Sequence, residues 1–408
     1  MRRLIPPYVP QIPILSPAAE GTPRAGLAAI VTPDEAGIRY VSALHEHGWR
    51  ALSLTTEPIG VAPVHFPYDG QLQFSGDVAG AAATLSSLDV QIVLAGSPRA
   101  VRLADELAAR LALPGNDLFL QGYRTDIAET ALALRGATLP TALTVRVHGQ
   151  QTALPSAVFS QVPEVVLHHP DPAYSDAGIP CRSVQDLQAA WARLLETTPP
   201  ADTYVLQERP PGMMYHLDTV TVPAGIAPEH RVTALWAQPR DDDLTLVQRF
   251  DLVRGETLIA RCLSRCLQPA LTALGVRFGP SRARMALLPD RGPVLLSVVP
   301  GPHPDIAVHT MRDLVGDAAA QAAHLATARR LCAPGGRDQA PQASRAVAKI
   351  RLASCPPAVA TAARHLPTRT ADEGLDSGPG PAWLLLTADD AAAIDRDVAT
   401  LKSAATMP

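Results

Sequence analysis

Few side chains in this sequence stand at spacings that enzymes use. Cys262 and Cys266 lie four residues apart on a predicted helix and would share a face. Two thiols with no histidine at ligand spacing do not make a zinc site, so packing cysteines are expected. His45 and His47 flank Glu46 at a predicted helix end, where imidazoles meet free carbonyls and solvent. The run Asp241-Asp242-Asp243 lacks the spaced oxygen ligands of a calcium loop and reads as a hairpin tip, and Met213-Met214 reads as core filling. No Gly-x-Ser-x-Gly, His-Glu-x-x-His, phosphate-binding-loop or paired Cys-x-x-Cys motif occurs, which leaves the usual hydrolase, metalloprotease and NTPase readings without support. What any side chain here could do therefore depends on which residues the fold brings together.

Such residues need a scaffold to gather them. The chain has 408 residues, 47% of them hydrophobic, enough for a sizeable core and two or three domains. Its formal net charge of -4, with basic residues scattered, provides no electrostatic footprint for nucleic acid or an anionic membrane. Prolines at positions 6, 7 and 10 break the apolar stretch behind Arg2-Arg3 before a signal-peptide core could form, so a cytoplasmic protein is expected. No apolar run approaches the ~20 residues that a membrane helix needs. Five irregularly spaced cysteines read as reduced thiols.

Periodicity places the elements. A buried strand at 27–31, a helix at 34–47 with Ile38, Val41 and Leu44 on one face, and a strand at 51–54 give the strand-helix-strand order of a parallel sheet. A strand at 89–95 and a helix at 99–111, with Val101, Leu107, Ala108 and Leu111 inward, repeat it. The turn after the first strand lacks the glycine spacing of a dinucleotide fold. From about Gly115 a helix at 126–135, strands at 141–147 and 164–167 and a helix at 184–195 follow, then a linker at 197–201. Strands at 203–207, 215–221, 231–237 and 244–250 suggest a largely antiparallel sheet. A helix at 258–274, strands at 283–288 and 294–299, a helix at 311–331, loops at 333–343 and 373–381, a strand at 383–387 and a helix at 389–401 complete the chain.

Three ordered segments, Leu94-Ala95-Gly96-Ser97, Leu103-Ala104-Asp105-Glu106-Leu107 and Leu113-Pro114-Gly115-Asn116, resemble the end of the first domain of ATP-grasp carboxylate–amine ligases, the group that contains bacterial L-amino-acid ligases. The likeness continues through Arg124-Thr125-Asp126, Val165-Val166-Leu167, the stretch 204–212 with Asp218, Ala273-Leu274-Gly275-Val276, Gly292-Pro293-Val294-Leu295-Leu296 and the closing unit 383–401. It implies an α/β (α+β) chain with the ATP-grasp fold behind an N-terminal parallel α/β domain. The implied divisions are 1–114 for that domain, 115–201 for the small ATP-grasp subdomain and 202–408 for the large and C-terminal subdomain. A homodimer is implied as well.

In that family ATP lies between two antiparallel sheets, lysines neutralise its phosphates, and carboxylates with an asparagine hold Mg²⁺ while the γ-phosphoryl group moves to a substrate carboxylate. The resemblance assigns those roles to positions that hold other residues here. Ile127 takes the place of the first lysine and His169 of the second. Arg284 stands for one metal carboxylate, and Ser297-Val298-Val299 for the strand that carries glutamate and asparagine. The acidic residue after the hinge is Met214, while Asp218 is kept. Glu208, beside Gln207 at the adenine hinge, is the one nucleotide contact carried over. No metal ligand set and no resident cofactor are therefore expected; ATP and Mg²⁺ enter only if ligands come from unrecognised positions in an active peptide-bond-forming ligase.

The implied fold brings the strand ends bearing His168, His169, Arg282, Arg284 and His303 together as one basic pocket for an anion, a carboxylate or a phosphate. The alternative is residue drift after loss of catalysis. The expected function is that of a ligase homologue lacking Mg-ATP-dependent ligation, a binding or regulatory partner of an active enzyme in a specialised biosynthetic pathway. The competing expectation is an enzyme that uses the basic pocket for metal-independent chemistry on an acyl or phosphorylated substrate.

Overall fold

A computed structural model describes residues 26–33, 37–46, 48–56, 68–148, 156–171, 178–197, 201–223, 227–239, 247–253, 257–301, 345–373, 375 and 382–405. His303, the Asp241-to-Asp243 run, the helix expected at 311–331 and the loop at 333–343 lie outside these residues.

The first layer is a parallel sheet of β1 (Gly26–Val31), β2 (Trp49–Thr55), β3 (Gly70–Gln73) and β4 (Val90–Ala95) in the order β3-β2-β1-β4. Strands β1, β2 and β4 are largely apolar on both faces because helices cover both, while the edge strand β3 exposes Gln71 and Gln73. Ala28 and Ile30 pack on Tyr40, Val41 and Leu44 of α1 (Ile38–Glu46). Leu27, Ala29 and Val31 pack with Leu85 of α2 (Val78–Ser87) and with Ala104, Leu107 and Ala108 of α3 (Val101–Arg110). Neither β3 nor α2 was anticipated. Gly-Gln-Leu-Gln is too short to show a period, and the alanine-rich α2 has no clear apolar stripe to betray it.

After a single turn, α4 (Gly122–Thr125), comes α5 (Ile127–Gly136), which starts where the Asp126 carboxylate caps the amides of Ala128 and Glu129. A small antiparallel sheet follows, made of β5 (Thr144–His148), β6 (Val165–His168), β7 (Ile179–Cys181) and β8 (Thr203–Glu208), in the order β5-β8-β6-β7. Val147, Val165, Leu167, Tyr204 and Leu206 form one face, buried against Leu187 and Leu194 of α6 (Val184–Thr197). Alternation sends Arg146, Val166, His168, Val205 and Gln207 to the other face.

The large sheet comprises β9 (Met214–Val222), β10 (Glu229–Gln238), β11 (Val247–Leu252), β12 (Gly279–Leu288), β13 (Gly292–Pro300), β14 (Ala346–Leu352), β15 (Arg369–Glu373) and β16 (Ala382–Ala388). Their order is β13-β12-β9-β10-β11-β14-β16-β15, antiparallel throughout. Leu217, Leu235, Ala283, Met285, Leu295 and Val298 pack under Leu263, Leu267 and Leu271 of α7 (Leu258–Ala273). At the far end α8 (Pro357–Arg364) and α9 (Ala391–Ala405) cover β14 and β16 through Val359, Ala363, Ile394, Val398 and Leu401. The strands β14 and β15 and helix α8 were missed by periodicity. In β14 the sequence Ala-Val-Ala-Lys-Ile-Arg-Leu interrupts its apolar run with Lys349, which the structure nonetheless buries.

Candidate functional site

On the face of the large sheet turned away from α7, the ladder sets Arg282 opposite Asp218, and Arg284 opposite both His216 and Ser297. Arg282 Nε donates to Asp218 Oδ1 at 2.6 Å, and Trp236 Nε1 donates to the other carboxylate oxygen at 3.1 Å. Lys349 Nζ stands 3.9 Å over the Trp236 ring. His216 Nε2 lies 2.9 Å from Gln238 Oε1, and its ring meets Phe250 edge-on at 5.0 Å. A lysine that is only 2% exposed is costly without compensation, and the indole face supplies part of it. Charges thus line a buried sheet face from β12 to β14. Sequence reasoning did not find Lys349 or Trp236; the signal was there in a lone lysine amid the apolar residues of one strand.

His168 and His169 part company. His168 pairs with Val205, sharing a face with Gln207, and is packed so closely that a Cβ on Gly178 would lie 2.4 Å from its Nδ1. His169 turns to the side covered by α6. Its Nδ1 accepts the Asp171 amide at 3.1 Å, and its ring stands edge-on to Tyr204, itself against Trp191. With Nδ1 accepting, the proton of a neutral His169 resides on Nε2. Of the expected pocket residues, Arg282 and Arg284 share one face of β12, and His168 lies on the small-sheet face that reaches the large sheet. His169 lies on the opposite face from His168.

Glu208, the expected hinge contact, is a joint between the sheets. Its Oε2 accepts the Leu143 amide at 3.0 Å and an Arg291 Nη1 hydrogen bond at 3.1 Å, while Arg291 Nη2 bonds to Oε1. The Glu208 amide donates to Leu143 O at 2.7 Å. The carboxylate in turn makes the Arg291 guanidinium more basic than usual.

The motif Arg124-Thr125-Asp126-Ile127 has a structural use. Fully buried, Arg124 donates from Nη1 to Leu274 O at 2.9 Å and Gly275 O at 3.2 Å, and from Nη2 to Asp105 and Asp117 O, each at 2.9 Å. It rivets the first layer to the end of α7. Asp126 caps α5 and Ile127 is buried.

Solved structures match the chain over nearly its whole length. L-amino acid ligase from Bacillus licheniformis is 12% identical and superposes with a TM-score of 0.66, covering 94% of this chain and 98% of its own. Carboxyaminoimidazole ribonucleotide synthase from Aspergillus clavatus, complexed with ATP, is 13% identical with a TM-score of 0.70 over 93% and 98%. N5-carboxyaminoimidazole ribonucleotide synthetase from Thermotoga maritima is 13% identical with a TM-score of 0.64 over 92% and 96%. No family model and no curated protein matches the chain. The chain therefore has the fold of ATP-grasp carboxylate–amine ligases, a mixed α/β architecture in which a parallel sheet precedes two antiparallel ones. At these identities the likeness is one of fold. No helix among the described residues is long and apolar enough to cross a membrane.

One of these neighbours is complexed with ATP, and the family resemblance implies magnesium-ATP. Mg²⁺ demands hard oxygen ligands in near-octahedral array. The adjoining strands offer Arg284 and Ser297; the buried Ser297 Oγ has no hydrogen-bond partner among the described residues, and the Asp218 carboxylate is held by Arg282 and Trp236. Among the described residues no three His, Cys, Asp or Glu side chains gather as a metal site. Arg284, Ser297 and the engaged Asp218 do not fit the ion.

Proposed function

We propose that this chain is an ATP-grasp-fold protein that does not perform Mg-ATP-dependent ligation and instead binds a small anion, a carboxylate or phosphate, between its small and large sheets. In this role it serves as a binding or regulatory partner of an enzyme, as a homodimer in a biosynthetic setting. The observation that carries the reading is the pairing of Arg284 with Ser297 and His216 on the buried sheet face, a guanidinium, a hydroxyl and an imidazole at a place where a magnesium site needs carboxylates. Calorimetric titration with ATP, with and without Mg²⁺, tests it. The expected result is no magnesium-dependent binding and no ATP turnover. Tight magnesium-dependent binding would sink the proposal and return the chain to the active ligases.

One observation favours a second reading, an enzyme working without metal: His168 places a buried imidazole on the small-sheet face that reaches the large sheet. Here Arg284→Glu abolishes the activity on an acyl or phosphorylated substrate, and an unaffected variant removes the site from consideration.

A further inference from the structure

The ladder between β12 and β13 slips by one residue. Arg284 pairs with Ser297, but Met285 pairs with Leu295, so Leu296 is the extra residue of a β-bulge. A bulge leaves its extra residue outside the regular pairing and re-aims it. The Leu296 carbonyl accepts a hydrogen bond from Gln207 Nε2 of β8, 2.9 Å away and on the small-sheet face shared with His168. Both residues are buried. Around this tie Ala142, Met214, Ala286, Leu288, Val294 and Leu296 form an apolar cluster. Thr141 bridges Leu295 beside it, and the Arg291–Glu208 pair joins the rim.

We infer that Gln207 is a specificity-determining residue of the cleft: by bonding to the bulge carbonyl of Leu296 it closes this part of the gap to planar rings. The ligand class is then a compact anion without a nucleobase. This inference rests on the anion-binding reading above and narrows it. A ring stacked between two layers needs about 7 Å between facing atoms, two nonbonded contacts of ~3.5 Å each. The tie instead holds an amide and a carbonyl in direct contact. Admitting a ring strands both groups in an apolar cluster, and an unpartnered buried donor or acceptor carries its full desolvation penalty. A phosphate or carboxylate held through Arg284 would leave this tie intact.

The test uses the full chain and three probes in calorimetry: adenosine, ADP and inorganic pyrophosphate, without metal. The wild type is expected to ignore adenosine and to bind ADP no more tightly than pyrophosphate, within about threefold. Gln207→Ala, and Gln207→Ser as a second opening variant, gain adenosine binding and favour ADP over pyrophosphate by about tenfold. Gln207→Met, which fills the same space but lacks the hydrogen bond, is expected to gain adenosine binding less than the opening variants do, because only the steric part of the closure remains. Circular dichroism establishes that each variant is folded. Adenosine binding by the wild type, or a wild-type preference for ADP over pyrophosphate of tenfold or more, overturns the inference, as does a folded opening variant that gains nothing. If pyrophosphate binds no variant while the opening variants gain adenosine, the anion-binding reading falls and the role of Gln207 stands.

Discussion

Replacing Arg124 by methionine tests whether this motif residue is the rivet described above. The change keeps most of the side-chain volume and removes the guanidinium from Asp105, Asp117 O, Leu274 O and Gly275 O. Breaking one side of a buried ion pair costs about 3–5 kcal/mol, because the abandoned charge stays buried. Asn116 Nδ2 still donates to Asp105 at 3.0 Å, which softens the loss, whereas the orphaned carbonyls add to it. A net cost of about 3–5 kcal/mol is a large share of the ~5–15 kcal/mol that holds a folded protein together. Urea unfolding followed by tryptophan fluorescence reads it. Adding Asp105→Asn removes the stranded charge and should recover about 1–3 kcal/mol of the loss.

The pH dependence has a definite sign. Burial holds the Asp105 carboxyl above its ordinary value even with Arg124 beside it, and removing the cation raises it further. Between the unfolded and folded values the native state binds more protons than the unfolded one, so stability falls as pH rises through that window and is level above it. The penalty of Arg124→Met is therefore smallest below the ordinary carboxyl range and grows with pH. A cost under ~1 kcal/mol, no recovery with Asp105→Asn, or a penalty that shrinks as pH rises refutes the reasoning.

Three further outcomes are expected. Asp126→Ala loses the cap of α5 and one partner of Arg146, costing about 1 kcal/mol in urea unfolding, whereas Asp126→Asn, which still caps, costs less; equal losses would show that the cap is not what matters. Gly275→Ala meets Asp117 Cβ at 2.8 Å and Leu120 Cβ at 2.9 Å at a backbone φ of +68°, so Tm should drop, by an amount matching a loss above ~1 kcal/mol; an unchanged Tm contradicts the packing. The Cys181 thiol is pushed up to about 12 by burial, with Asp186 and Glu164 adding to the shift. Brief alkylation of the native protein at pH 8 followed by peptide mass spectrometry should therefore find Cys181 unmodified and the half-buried Cys262 modified; early modification of Cys181 would argue against its burial.

Periodicity found α3, α5, α6, α7 and the central strands because each carries its own apolar stripe or alternation. It passed over elements whose apolar character comes from neighbours, such as the alanine-rich α2 and the lysine-bearing β14. At the candidate site, Arg282 and Arg284 were visible through the family resemblance, but the carboxylate that holds Arg282 is Asp218, on another strand, and Lys349 arrives from a strand that lies beyond residues 302–344.

Element type, helix caps and the opposite orientation of adjacent strand residues follow from local chemistry, since each depends on backbone geometry within a few residues. Which face of a strand meets a partner does not. His168 and His169 point oppositely as neighbours in an extended segment must, yet only the packing of α6 on one side of the small sheet makes His168 the one on the side of the large sheet. Likewise, the Leu296 carbonyl is turned out by a one-residue slip between β12 and β13, and Glu208 is held by an arginine on a distant hairpin. Register and layer packing belong to pairs of segments, so only the tertiary structure could decide them.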